Sequence, residues 1–127
     1  MKRKLFMVLA AGVVLSLVSG TMFAHHAGTL YDRDHAVTLT GTVTEFLFTN
    51  PHAQIHFEVK DEGGSVTKWV AETAGPQRLL RSGWNKYTLK TGDTITVTGA
   101  PIKDGRKFVS IFRLTGGKAP VLTLGAE

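Results

Sequence analysis

Histidine is the residue type that offers this chain most chemistry, because there are five histidines and no cysteine. They are His25, His26, His35, His52 and His56. Neutral imidazole is the commonest metal ligand in proteins, and nitrogen ligands suit Cu(II), which lies at the top of the divalent affinity order. If a leader is cut after Ala24, the free α-amino group and the imidazole of His25 can chelate one ion together.

A third nitrogen would complete such a site, and His26, His35 and His52 can each supply it. We predict a copper site formed by His25, His26 and His52, which is similar in ligand type to the histidine brace of secreted copper proteins. The alternative is that His25 and His26 lie on a frayed terminus and bind nothing in particular.

His52 and His56 are too far apart to share one ion if they lie on a strand. At about 3.3 Å per residue they stand about 13 Å apart, whereas a bond from a metal to a histidine nitrogen measures about 2 Å. We choose His52, which follows Asn50-Pro51 at the start of a predicted strand, and expect His56 to be an exposed cross-strand neighbour. A partly buried His52 bonded to the backbone is the alternative.

Glu72 and two arginines are the other charged candidates. Glu72 could orient an imidazole by accepting its second N–H, but we favour a surface ion pair with Lys68 or Arg78. Arg78 and Arg81 could together hold an anion, and a solvated helix face is the preferred interpretation.

The first 24 residues have the pattern of a secretory signal peptide. Lys2, Arg3 and Lys4 precede an uncharged run from Leu5 to Ala24, which is the order of a charged segment followed by an apolar one. We place the cut after Ala24, with Gly20 as the second choice, and predict a periplasmic or secreted protein. An uncleaved anchor is the alternative; after cleavage no stable membrane span is expected.

Composition limits what the exported part can be. Removing 24 of 127 residues leaves 103, with twelve basic and ten acidic side chains and hence a net charge of +2. This small excess predicts no nucleic-acid partner, and the length suits a single domain over residues 25–127. Without cysteine, the core must be stable without disulfides.

Alternating residues predict five strands. Positions 36–44 place Val37, Leu39, Gly41 and Val43 on one face and threonines on the other, and three apolar residues at 46–48 suggest a bulge or a second buried face. Further strands are predicted at 52–60, 65–73, 94–99 and 107–114.

One short helix is predicted between the third and fourth strands. Pro76 suits its first turn and Gly83 its end, with Leu79 and Leu80 packing on the sheet and Trp84 contacting the helix end. A glycine-rich tail at 116–127 offers at best an edge strand at 121–124. The order strand-strand-strand-helix-strand-strand predicts an all-β OB-like five-stranded barrel, with an antiparallel sandwich as the alternative.

Several stretches together resemble one family of small exported bacterial proteins. They are Ala24-His25-His26, residues 37–44, Asn50-Pro51-His52, the L-L-R-S-G-W stretch at 79–84, and residues 89–93. The family is the domain of unknown function 6152, and the resemblance covers nearly the whole exported part. It implies export and a compact β-fold, and it carries no chemistry.

Enzyme signatures are largely absent, since neither a G-x-S-x-G elbow nor an H-E-x-x-H or phosphate-loop motif occurs. We therefore expect a non-enzymatic periplasmic binding or accessory protein that binds copper through its N-terminal histidines. The alternative is a metal-free interaction module that binds an envelope protein, a glycan or a small envelope ligand.

Overall fold

The computed structural model describes residues 30–125. The predicted leader at 1–24, together with both predicted cleavage sites, lies outside the described residues. Within 30–125 no helix is long and apolar enough to cross a membrane.

Six strands and one helix make up the described part of the chain. They are β1 (Val37–Leu47), β2 (Gln54–Lys60), β3 (Val66–Glu72), α1 (Pro76–Arg81), β4 (Thr94–Pro101), β5 (Phe108–Gly116) and β6 (Leu122–Thr123).

The strands close into a barrel, as the sequence predicts. Antiparallel pairing runs in the order β3-β2-β1-β4-β5, and a parallel pairing of β3 with β5 joins the two ends. In that closure Val70, Ala71 and Glu72 pair with Phe108, Val109 and Ser110. A five-stranded barrel with one helix between its third and fourth strands is an OB-like barrel, and its closure rules out the sandwich.

Alternation along β1 separates a buried face from an exposed one. Its threonines lie outside and bond across to β4, with Oγ1–Oγ1 distances of 3.0 Å between Thr38 and Thr98 and between Thr40 and Thr96. Such cross-strand pairs stabilise a sheet on its solvent side. The apolar residues on the opposite face contribute to the core, with Val43 fully buried.

A bulge lets β1 turn from one partner strand to the other. Its first half pairs with β4 and its second half with β2, and the register slips between Val43 and Glu45. Gly41 lies near the point where β1 changes its partner strand. A Cβ added there would meet the Glu58 carbonyl and lie 2.9 Å from the Phe57 ring. Only glycine allows the two strands to approach this closely.

Helix α1 places one leucine in the core and leaves the other in solvent. Leu79 is fully buried, but Leu80 is 57% exposed, so the prediction that both pack on the sheet is wrong for Leu80. Adjacent helical residues point about 100° apart, which prevents a single short helix from burying both on one narrow face. Trp84 is buried as expected, and its indole Nε1–H donates to the Pro120 carbonyl (3.0 Å).

The ends of several strands differ from the predicted bounds. β2 begins at Gln54 rather than at residue 52, β4 continues to Pro101, and β5 runs from Phe108 to Gly116. In the glycine-rich tail, β6 pairs with β5 and buries Leu122, while Leu124 just beyond it is also buried. These two leucines of the tail therefore belong to the core.

Candidate functional site

His52 and Glu72 lie side by side where β2 begins and β3 ends. Glu72 is the last residue of β3 and pairs with Gln54, while His52 stands just before β2. The pairing continues past the strand ends, since the Ala53 N–H donates to the Ala74 carbonyl (3.1 Å). As a result, Nδ1 of His52 contacts Oε1 of Glu72.

Tyr31 binds the other oxygen of the same carboxylate. Its hydroxyl donates to Oε2 of Glu72 at 3.2 Å. The segment that carries it is held to the barrel by a bridge between Tyr31 and Ile102 and by the Asp32 N–H donating to the Pro101 carbonyl (2.8 Å). Burial, followed by the negative charge of Glu72, raises the pKa of Tyr31 to about 12, so the phenol remains a donor at neutral pH.

A glycine at the start of α1 sets the position of the loop before His52. An added Cβ on Gly75 would lie 2.6 Å from the Pro51 carbonyl oxygen, a distance that real side chains essentially never show. The close approach of these two segments brings His52 alongside the end of β3. Replacement of Gly75 would therefore displace the loop that carries the imidazole.

The His52–Glu72 pair lines a cleft of about 260 Å³. Two basic side chains line it as well, Arg33 from the segment before β1 and Arg78 from α1. Its other lining residues include Thr73 and Ser110, and the apolar side chains Ile111, Phe112 and Leu124. The cleft thus combines an oriented imidazole, two arginine side chains and an apolar wall.

The imidazole of His52 is accessible from solvent. The side chain is 53% exposed, and its contact with the carboxylate is made through Nδ1. A carboxylate that holds one ring nitrogen fixes the orientation of the ring and makes the other nitrogen a better ligand. The arrangement can therefore present Nε2 to a metal ion.

Of the three predicted metal ligands, the structure describes only His52. His25 and His26 lie outside the described residues. Within 30–125 no group of three histidine or carboxylate side chains is placed to hold a metal ion. The three-histidine site therefore stays a prediction.

The remaining two histidines occupy different surroundings. His35 is 82% exposed in its side chain and its Nδ1 lies 3.0 Å from Asp32. His56 is only partly exposed, and its Nε2 is buried without a hydrogen-bond partner among the described residues. The expectation of an exposed His56 is thus wrong; His56 lies between its cross-strand neighbours Glu45 on β1 and Val70 on β3.

The preferred interpretation of Glu72 as a partner of Lys68 or Arg78 is also wrong. Glu72 bonds to His52 and Tyr31, which is the alternative in which it orients an imidazole. Arg78 lines the cleft, whereas Arg81, three residues further along α1, is not part of the lining. Arg78 and Arg81 therefore do not line one site together, and the shared anion site that their spacing allows is not formed.

Part of this site, the closeness of Glu72 to His52, can be inferred from the sequence. The loop at 61–64 fixes the register of the β2–β3 hairpin, and counting back along it places Glu72 opposite Gln54, close to His52. Tyr31 was missed, because it precedes the first strand and reaches Glu72 only through the folded barrel. No periodicity in residues 30–36 indicates that contact.

A larger hollow of about 480 Å³ lies elsewhere, lined among others by Tyr87, Lys90, Asp93 and Lys118. None of its described lining residues is a histidine, and its one carboxylate lining residue, Asp93, accepts a bond from the Lys90 N–H (2.9 Å). The smaller cleft at His52 is therefore the better candidate site.

Comparison with solved structures finds similar folds at low identity. The dimeric N-terminal domain of PriB from Thermoanaerobacter tencongensis is 20% identical with a TM-score of 0.48, over 66% of this chain and 97% of that one. TiaS, a tRNA agmatidine synthetase, in its complex with tRNA and ATP, is 17% identical with a TM-score of 0.45. That match covers 69% of this chain but only 19% of TiaS.

No curated protein matches the sequence. The resemblance to the family is confirmed, since a family model matches residues 13–110. This protein belongs to the family of unknown function DUF6152.

Proposed function

We propose that the protein is an exported binding module that holds a copper ion through His52 together with His25 and His26. The observation that carries the proposal is the chain of contacts from Tyr31 to Glu72 to His52. Metal-binding histidines commonly give their second ring nitrogen to a carboxylate, which fixes the tautomer and the ring orientation. His52 has this environment while its side chain remains half exposed.

Chain length supports the participation of the N-terminal histidines. Tyr31 is anchored beside Glu72, and His26 precedes it by five residues. Five extended residues span at most about 18 Å, so the chain between His26 and Tyr31 is long enough to return to the cleft. Its length is therefore compatible with a site that His25 and His26 share with His52.

Ligand chemistry favours copper over other metals. The site would consist of imidazole nitrogens and, after cleavage at Ala24, the α-amino group of His25. The chain has no cysteine, so thiolate sites for zinc or Cu(I) are excluded, and nitrogen-rich sites suit Cu(II). A site outside the cytoplasm agrees with the predicted signal peptide.

The test is to purify the exported protein, determine its first residue and titrate it with Cu(II). We expect a start at His25 and one tight site, which weakens strongly in His25→Ala, His26→Ala and His52→Ala. His35→Ala is the matched control, because His35 is exposed and pairs with Asp32, and it should bind as tightly as the parent. A start at Thr21, or a His52→Ala protein with unchanged affinity, would contradict the proposal.

Thermal melting separates this proposal from the metal-free interaction module. A metal ion at 100 times its dissociation constant adds about 2.7 kcal/mol to the stability of the folded state. We expect Cu(II) to raise the melting temperature accordingly. An unchanged melting temperature would favour the metal-free module.

A further inference from the structure

Two arginines line the cleft, and no carboxylate within residues 30–125 pairs with either of them. Arg33 and Arg78 both line it. The ion pairs in that part of the chain join His35 to Asp32, His52 to Glu72 and Arg106 to Asp104, and none includes these two guanidinium groups. With respect to the described residues, their hydrogen-bond donors are therefore available to a ligand.

Glu72, the one carboxylate among the described lining residues, is already engaged. Tyr31 donates to its Oε2 and His52 contacts its Oε1. An incoming anion would thus meet a carboxylate whose two oxygens both have partners. Because the described lining holds two arginines and one engaged carboxylate, its charged part favours a negative ligand.

The other wall of the cleft is apolar. Ile111 and Leu124 are buried, and Phe112 lies beside them with Arg33 Cζ 6.0 Å from its ring centroid. The volume of about 260 Å³ corresponds to the space of roughly nine water molecules at about 30 Å³ each. A ligand of this size can contact both the arginines and the apolar wall.

We propose that this cleft binds a small organic carboxylate with an apolar body. Its carboxylate accepts hydrogen bonds from Arg33 and Arg78, since guanidinium groups match the planar geometry of carboxylates. Its hydrocarbon part packs on Phe112 and Leu124. Inorganic phosphate offers the charge without the apolar body and is therefore the weaker ligand. The proposal goes beyond copper binding and does not require the metal.

Benzoate is a suitable probe, because it has nine non-hydrogen atoms and a single negative charge. We would titrate it into the full protein after removal of metal by a chelator and follow the NMR signals of Ser110, Phe112 and Leu124. Saturable shifts confined to the cleft are expected. Benzamide, which has the same shape without the charge, should bind about tenfold more weakly or worse.

Substitutions of the two arginines test whether benzoate binds in this cleft. Arg78→Gln and Arg33→Gln should each weaken benzoate about tenfold, while the backbone spectra outside the cleft remain those of the parent. Arg81→Gln is the matched control, because Arg81 lies on the same helix outside the cleft lining, and its benzoate affinity should be unchanged.

Three results would overturn the proposal. They are the absence of benzoate shifts in the cleft, an equal loss of affinity in Arg81→Gln and Arg78→Gln, and phosphate or benzamide binding as tightly as benzoate. Because copper is absent from these experiments, failure of the copper site would leave their outcome unchanged. If the protein binds copper but not benzoate, the proposed copper function stands and the proposed carboxylate site is wrong.

Discussion

The hydroxyl of Tyr31 donates a hydrogen bond of 3.2 Å to Glu72, a residue 41 positions further along the chain. The bond joins the segment before β1 to the end of β3, and Glu72 in turn contacts His52. The same carboxylate therefore contacts both the segment before β1 and the imidazole of His52.

Removing the charge of Glu72 should weaken metal binding without unfolding the barrel. Glu72→Gln keeps the shape of the side chain but loses the anionic acceptor that orients His52. Loss of such a partner typically costs about 10-fold to 100-fold in metal affinity. Cu(II) titration of the variant measures this. Glu62→Gln, in the exposed hairpin loop, should bind copper like the parent, and equal affinities in both variants would count against the role of Glu72.

The bond from Tyr31 should contribute modestly to stability. Tyr31→Phe removes the hydroxyl and leaves the ring, so we expect the free energy of unfolding to fall by about 1 kcal/mol. Chemical denaturation at neutral pH measures this change. Tyr87→Phe is the control, since Tyr87 is 68% exposed, and it should leave stability unchanged. A Tyr31→Phe protein as stable as the parent would show that this bond contributes nothing measurable.

The same tyrosine predicts a pH dependence in the alkaline range. Its pKa is about 12 in the folded protein, raised from the ordinary value of 10.0 mainly by burial and then by Glu72. The folded state therefore holds this proton more tightly than the unfolded state does. The resulting stability is fully present below pH 10.0 and is lost as the pH rises towards about 12. Between those values the parent should lose stability more steeply than Tyr31→Phe, and parallel curves would contradict this.

Gly75→Ala should disturb the loop before His52. The added Cβ meets the Pro51 carbonyl oxygen, and forced displacement of this kind costs about 1–3 kcal/mol. We expect both lower stability and weaker copper binding, measured by denaturation and by titration. Gly63→Ala is the control, because a Cβ there would lie 3.4 Å from its nearest neighbour. A Gly75→Ala protein that resembles Gly63→Ala in both measurements would contradict the expectation.

The two adjacent leucines of α1 offer an internal comparison. Leu79→Ala should lower the free energy of unfolding by about 2–5 kcal/mol, because the side chain is fully buried. Leu80→Ala should change it by less than about 0.5 kcal/mol, since that side chain is mostly exposed. Similar losses in the two variants would show that α1 packs differently.

The barrel could be predicted because its rules are local. The threonine alternation of β1 identifies a half-buried strand, and the glycine-containing loop at 61–64 fixes the register between β2 and β3. Pro76 and Gly83 bracket the helix for reasons of backbone geometry. These signals depend on neighbours in the chain, and they give the order of elements that defines the fold.

Contacts across the closed barrel could not be predicted in the same way. Tyr31 and Glu72 are 41 positions apart in sequence and meet only in the folded barrel, and the burial of His56 depends on its neighbours on two other strands. Likewise, spacing along α1 does not reveal that Arg78 faces the cleft while Arg81 does not. Alternation gives the face of a residue, but its surroundings are set by the three-dimensional packing.

The most direct test of the central claim is to count the imidazoles bound to copper by pulsed electron paramagnetic resonance. The exported protein would be loaded with one equivalent of Cu(II), and the parent compared with His52→Ala and His35→Ala. We predict that the signal of one imidazole disappears in His52→Ala and that His35→Ala matches the parent. A His52→Ala spectrum identical to that of the parent would show that copper, if bound, lies away from the Tyr31–Glu72–His52 chain of contacts.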